Sequence, residues 1–117
     1  NGYDVLAWNC RSCSGEMNRA FRLYNHGEIG DLGEVVQHAL RTKPYEQVVL
    51  VGYSMGGNIT LKYLGVHGQN LPDVVKRGVA ISAPTDLGSS AGLLDRPGNR
   101  FYRNRFMKKL LFKISHK

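Results

Sequence analysis

Gln47-Val48-Val49-Leu50-Val51-Gly52-Tyr53-Ser54-Met55-Gly56-Gly57-Asn58 runs without a break from an apolar segment into a glycine-rich turn. Residues 47–51 are apolar nearly throughout, the pattern of a strand covered on both faces. Gly52 to Gly57 reads as a tight turn, and Asn58 to Leu64 as a helix closed by Gly65. Gly52-x-Ser54-x-Gly56 has the spacing of a nucleophile elbow. The spacing alone is a weak signal where Gly is 14 of 117 residues. The strand directly before it and the helix directly after it supply the arrangement the chemistry needs. A serine on a sharp strand-to-helix bend holds a strained backbone with its hydroxyl lifted clear of the sheet. Side chains at Gly52 and Gly56 are expected to collide with strand and helix, so glycine supplies room. The helix start presents the backbone N–H of Met55 where an oxyanion develops, and one such donor is worth ~3–4 kcal/mol of barrier. Ser54 is therefore the expected nucleophile and Met55 the expected oxyanion donor. The competing reading is a turn that merely joins strand to helix or cradles a phosphate. It lacks the G-x-G-x-x-G run of a dinucleotide site and the Lys of a P-loop.

Outward from this stretch the elements alternate. Tyr3 to Trp8 is rich in strand formers and reads as a buried strand. Asn9 to Gly30 reads as a long loop, a length that is uncommon unless functional. Asp31, with Glu34 three residues on, has capping-box spacing, and Leu32, Val35, Val36 and Leu40 extend a helix to Thr42 before Pro44. Gly78 to Ala83 reads as a third strand. Asp86 to Gly98 reads as loop with room for a short helix, and Phe101 to Lys117 as a helix with Tyr102, Phe106, Leu110 and Ile114 four apart. The order predicts an α/β fold: a doubly wound, mostly parallel sheet, incomplete at about three strands with flanking helices. So thin a sheet leaves bare edges, and the chain reads as an excerpt of a larger protein.

Charge divides the chain at residue 95. Residues 1–95 carry a formal −1, whereas residues 96–117 carry +8 with no acid. Nucleic-acid binders spread positive charge over a folded face, so no nucleic-acid partner is expected. A basic tail helix with aromatics fits a membrane surface; the favoured reading is a cap whose apolar stripe packs over a site. The division into 1–95 as core and 96–117 as the start of a cap follows. Cys10 and Cys13 stand in C-x-x-C spacing but enter a loop, not a helix, and lack two further zinc ligands nearby. They read as plain thiols of a reduced, cytoplasmic chain. No cofactor and no metal are expected.

A serine nucleophile needs a base and an orienting acid, which follow it in chain order on this arrangement. His67 comes too soon after Ser54, His116 sits among tail lysines, and Asp86 reads as a turn or helix-cap residue. The acid and base are expected outside this chain, as is the first oxyanion loop.

The elbow with Gly57-Asn58 and Leu61-Lys62-Tyr63-Leu64-Gly65 resembles the YheT-like branch of the α/β-hydrolase fold. So does the loop with Asn9, Arg11, Cys13, Ser14, Gly15, Glu16, Asn18, Arg19, Arg22, Tyr24 and Gly27, and so do Ser82, Pro84, Asp86 and Leu87. The family usually has an aromatic where Cys10 stands, a Gly where Ser12 stands, and His-Ser at Asn25-His26. The resemblance implies a serine hydrolase of carboxylic esters, small or lipid-like, in a protein nearly three times as long. It maps this chain from the fourth strand through the elbow and sixth strand into the cap. The Asp and His of a Ser-His-Asp triad then follow later strands. An acyltransferase or thioesterase on the same elbow, a non-catalytic module that binds membranes through its basic tail, and a dithiol redox protein using Cys10 and Cys13 are the alternatives.

Overall fold

The sheet is built from two strands among the described residues. β1 (Val48–Tyr53) and β2 (Val75–Ile81) form a two-stranded parallel sheet, in register from Val49 opposite Arg77 to Tyr53 opposite Ile81. The computed structural model describes residues 2–116. Asn1 and Lys117, the outer ends of the expected first strand approach and tail helix, lie outside the described residues. Helix α1 (Gly30–Thr42) precedes β1, and α2 (Met55–His67) connects β1 to β2. Helices α3 (Leu87–Leu94) and α4 (Arg100–Ser115) follow, with single 3₁₀ turns at Gly68–Asn70 and Pro97–Asn99.

The core lies between α1, α2 and one face of the sheet. Leu32 and Val36 from α1, Leu50 from β1, and Ile59 and Tyr63 from α2 are buried together. Each such side chain contributes roughly 1.5–3 kcal/mol on leaving water. Gly78 lets α2 lie close to β2: a Cβ there would run into the Leu64 side chain. The opposite sheet face is different. Val49, Val51, Tyr53, Val79 and Ile81 are exposed, because α3 and α4 do not return across it. The both-face cover expected for residues 47–51 is thus met on one face only among the described residues.

Several expected elements shift for identifiable reasons. Tyr3–Trp8 is not a strand. A strand exists through its ladder, and β1 pairs with β2 while no other described strand lies beside residues 3–8. Tyr3 and Val5 are about nine-tenths exposed. Asp4 instead accepts hydrogen bonds from Lys43 Nζ (2.7 Å) and Tyr45 Oη (3.0 Å), and Trp8 packs against the core. Two described strands therefore stand where about three were expected. β2 begins earlier than expected and stops at Ile81, because Ser82 (φ 51°) turns the backbone out of the ladder. Asp31 does not cap α1: Arg11 takes both its carboxylate oxygens (2.6 and 2.5 Å). Helix α2 runs through Gly65 and ends at Gly68 (φ 45°), whose N–H donates to the Leu64 carbonyl. Gly68 adopts that conformation without the clash a side chain would bring.

Helix α4 carries no buried residue. Leu110 of the expected stripe is half-buried, while Tyr102, Phe106 and Ile114 stay exposed. Arg103 ties it to Asp95 beyond the end of α3 (3.2 Å). No helix among the described residues is long and apolar enough to cross a membrane.

Candidate active site

Ser54 is the residue at which strand becomes helix. Its N–H donates to the Ile81 carbonyl (2.9 Å), extending the sheet by one bond. Its carbonyl accepts from Asn58 N–H (3.1 Å), the first bond of α2. Meeting both demands within one residue puts Ser54 at φ 49°, ψ −119°. A non-glycine residue held there stores about 1–3 kcal/mol of strain, which the flanking elements must over-determine. The side chain is exposed, and no cap bond draws it back onto the helix. Three N–H groups of the first turn of α2, beginning with Met55, have no intrahelical acceptor and carry the positive end of the helix dipole.

The glycines around Ser54 divide the steric work in a way the spacing does not show. A Cβ on Gly52 would run into the carbonyl of Gly56 and lie 2.6 Å from the N of Gly57, so the start of α2 rests directly on β1. A Cβ on Gly56 meets nothing within 4 Å. Gly57 is the second constrained position: a Cβ would lie 2.9 Å from the Ala83 side chain and 3.1 Å from the Gly52 carbonyl. Room expected from Gly52 and Gly56 is therefore supplied by Gly52 and Gly57. Asn58, also missed by sequence reasoning, donates through Nδ2 to the Pro84 carbonyl (2.9 Å). That bond fastens the segment after β2 to the first turn of α2, and an Asn directly after a glycine turn was its one available signal.

His67, His116 and Asp86 are each engaged by other partners. His67 is at the far end of α2, roughly 18 Å along the axis from Met55, with its ring 4.6 Å from that of Tyr63. His116 packs on Phe112 (4.1 Å between rings), its Nδ1 2.8 Å from the Phe112 carbonyl. Asp86 caps α3, accepting from Ser89 N–H (3.0 Å) and Ser89 Oγ (2.6 Å). Those hydrogen bonds hold its carboxyl below the ordinary carboxylate value. Among the described residues, none of the three makes a hydrogen bond with Ser54. Among the described residues, no three of His, Cys, Asp or Glu are grouped to hold a metal ion.

The parallel β–α–β unit, with strand, sharp turn and helix in direct succession, is the arrangement from which an α/β-hydrolase sheet is built. The family model of the alpha/beta hydrolase fold matches residues 1–109, and the chain belongs to that family. Within it, the chain is 35% identical over 110 residues to "Putative esterase YheT" of Escherichia coli, covering 94% of this chain and 32% of that protein. It is 26% identical over 102 residues to "Monoacylglycerol lipase" of Saccharomyces cerevisiae, 86% of this chain and 22% of that one. A shorter match, 46% over 44 residues, links it to "Monoacylglycerol lipase ABHD2" of Mus musculus, 38% of this chain and 10% of that protein. The chain spans about a third or less of the length of these relatives. No solved structure matches it.

Proposed function

We propose that this chain carries the nucleophile of a carboxylic-ester hydrolase. Ser54 Oγ attacks the acyl carbonyl, and its proton passes to a His supplied by a part of the protein outside residues 1–117. Negative charge then forms on the carbonyl oxygen, and the Met55 N–H donates to it. That amide is fixed by the helix before the reaction begins, so it costs no reorganisation when charge appears. Collapse of the tetrahedral species expels the alcohol and leaves an acyl ester on Ser54. Water then attacks that ester by the same path in reverse roles. No metal or cofactor enters this scheme.

The observation that carries the reading is the backbone of Ser54: strain at a residue shared between a parallel ladder and a helix start, with the hydroxyl left open to solvent. The names of the relatives support a lipid-like or small ester as substrate. Turnover of a p-nitrophenyl ester series by the full-length protein tests it. Ser54→Ala is expected to lower kcat by at least about a thousandfold with the fold intact. Unchanged turnover in that variant would refute the assignment.

A further inference from the structure

Cys10 and Cys13 gain a context in the fold that their spacing alone lacks. The Cys13 N–H donates to the Cys10 carbonyl (3.0 Å), closing a turn. A turn of this kind holds its end Cα atoms within about 7 Å, the reach of a disulfide. Cys13 is exposed, while Cys10 is half-buried. Cys13 opens into a cleft of about 890 Å³ between its own loop and α4. Arg105, Lys108, Lys109 and Lys113 line that cleft, against one acid, Glu16. Lys113 Nζ donates to Cys13 Sγ at 3.0 Å and lies 4.6 Å from the Tyr24 ring centre. Arg105, Lys108 and Lys109 make no ion pair among the described residues.

We infer that Cys10 and Cys13 form a thiol–disulfide exchange site whose cationic cleft selects small disulfides bearing carboxylates. The Cys13 thiolate attacks one sulfur of such a disulfide and expels the first thiolate, leaving a mixed disulfide on Cys13. Cys10 then gives its proton to solvent and attacks the Cys13 sulfur, expelling the second thiolate. The protein dithiol is oxidised to the Cys10–Cys13 disulfide, and the small disulfide is reduced to two thiols. The roles follow access: the exposed sulfur meets the incoming molecule and the half-buried one resolves it. Burial first, then the neighbouring Cys13 and Asp31, push the Cys10 thiol up, which fits a group that stays protonated until the second step. The fixed positive charge concentrates anions at the cleft, an effect that salt screens. Neither step passes through Ser54, so this site and the ester-hydrolase reading stand or fall separately.

The test reacts the reduced full-length protein with 5,5′-dithiobis(2-nitrobenzoate), which is anionic, and with cystamine, which is cationic. Each rate is divided by the same probe's rate with 2-mercaptoethanol. Cys10→Ser and Cys13→Ser, made with any other cysteine of the protein replaced, isolate the pair. Wild type is expected to release two thionitrobenzoates from the pair and end two hydrogens lighter. Cys10→Ser is expected to stop at one and keep the adduct. The normalised rate is expected to favour the anionic probe by about tenfold or more. High salt, or Arg105→Ser with Lys108→Ser and Lys109→Ser, is expected to bring it towards unity. The salt titration needs no variant, so a misfolded triple mutant does not blunt the test. A stable adduct on wild-type Cys13, or a ratio near unity at low salt, overturns the inference.

Discussion

Alanine at Gly52 and alanine at Gly56 look alike in the G-x-S-x-G spacing but are expected to behave oppositely. At Gly52 the new Cβ meets the backbone of Gly56 and stands 2.6 Å from the N of Gly57, where ordinary contact begins at 3.4 Å. The start of α2 must therefore withdraw from β1 by at least about 0.8 Å, and more at the nearer Gly56 carbonyl, and backbone on both sides leaves no flexible side chain to yield. Overpacking of this kind costs about 1–3 kcal/mol. The same displacement moves the Met55 amide and Ser54 together, and a 1 Å error at a reacting centre costs about a hundredfold in rate. At Gly56 the Cβ meets nothing within 4 Å, and Ala replaces Gly inside the first turn of α2. That exchange stabilises a helix by up to about 1 kcal/mol. Urea unfolding of the full-length variants and the rate of ester turnover read both effects. Gly52→Ala is expected to lower the unfolding midpoint and cut turnover by about a hundredfold. Gly56→Ala is expected to leave the midpoint unchanged or raise it. Equal damage from both substitutions, or none from Gly52→Ala, refutes the reasoning from helix-on-strand contact.

Ile59, 2% exposed at the centre of the α1–α2–sheet core, should lose about 2–5 kcal/mol of stability on truncation to Ala, read by urea unfolding. Asp86→Ala removes the α3 cap and should lower the thermal midpoint at neutral pH. Because the Ser89 hydrogen bonds depress the Asp86 carboxyl in the folded state, its contribution is present above the ordinary carboxylate value and fades as pH falls through the depressed one. The midpoint difference between wild type and Asp86→Ala should accordingly shrink in acid, and a constant difference from neutral to acid pH contradicts the assignment. Asn58→Ala removes the Asn58–Pro84 bond and should lower kcat more than the unfolding midpoint; Asn58→Asp, which keeps the shape without a donor at that atom, should not restore it.

The junction from residue 47 to residue 58 was legible because one short segment carries two incompatible patterns, an unbroken apolar run and a glycine-rich turn, with a helix former on the far side. Ser82 and Ser12 show where local patterns run out. Both sit at positive φ (51° and 59°), and nothing in their own sequence marks it; the family's usual glycine at position 12 is the one hint, and it came by resemblance. Tyr3–Trp8 differs from its expected strand because strand propensity measures fit to a sheet, whereas a strand also needs a neighbour, and no other described strand lies beside these residues. Asp31 was misread because a capping pattern is local and its competitor, Arg11, is twenty residues away. Gly57 was overlooked in favour of Gly56 because the spacing counts glycines without showing which of them α2 and the segment after β2 press against.

Covalent labelling addresses the chemistry of Ser54 without a known substrate. The full-length protein is treated with an alkyl fluorophosphonate, and the adduct is located by mass spectrometry of its peptides. One adduct per chain on Ser54, absent from the Ser54→Ala variant, is the predicted result. An unlabelled Ser54 in protein that turns over esters, or an adduct on another serine, contradicts the account.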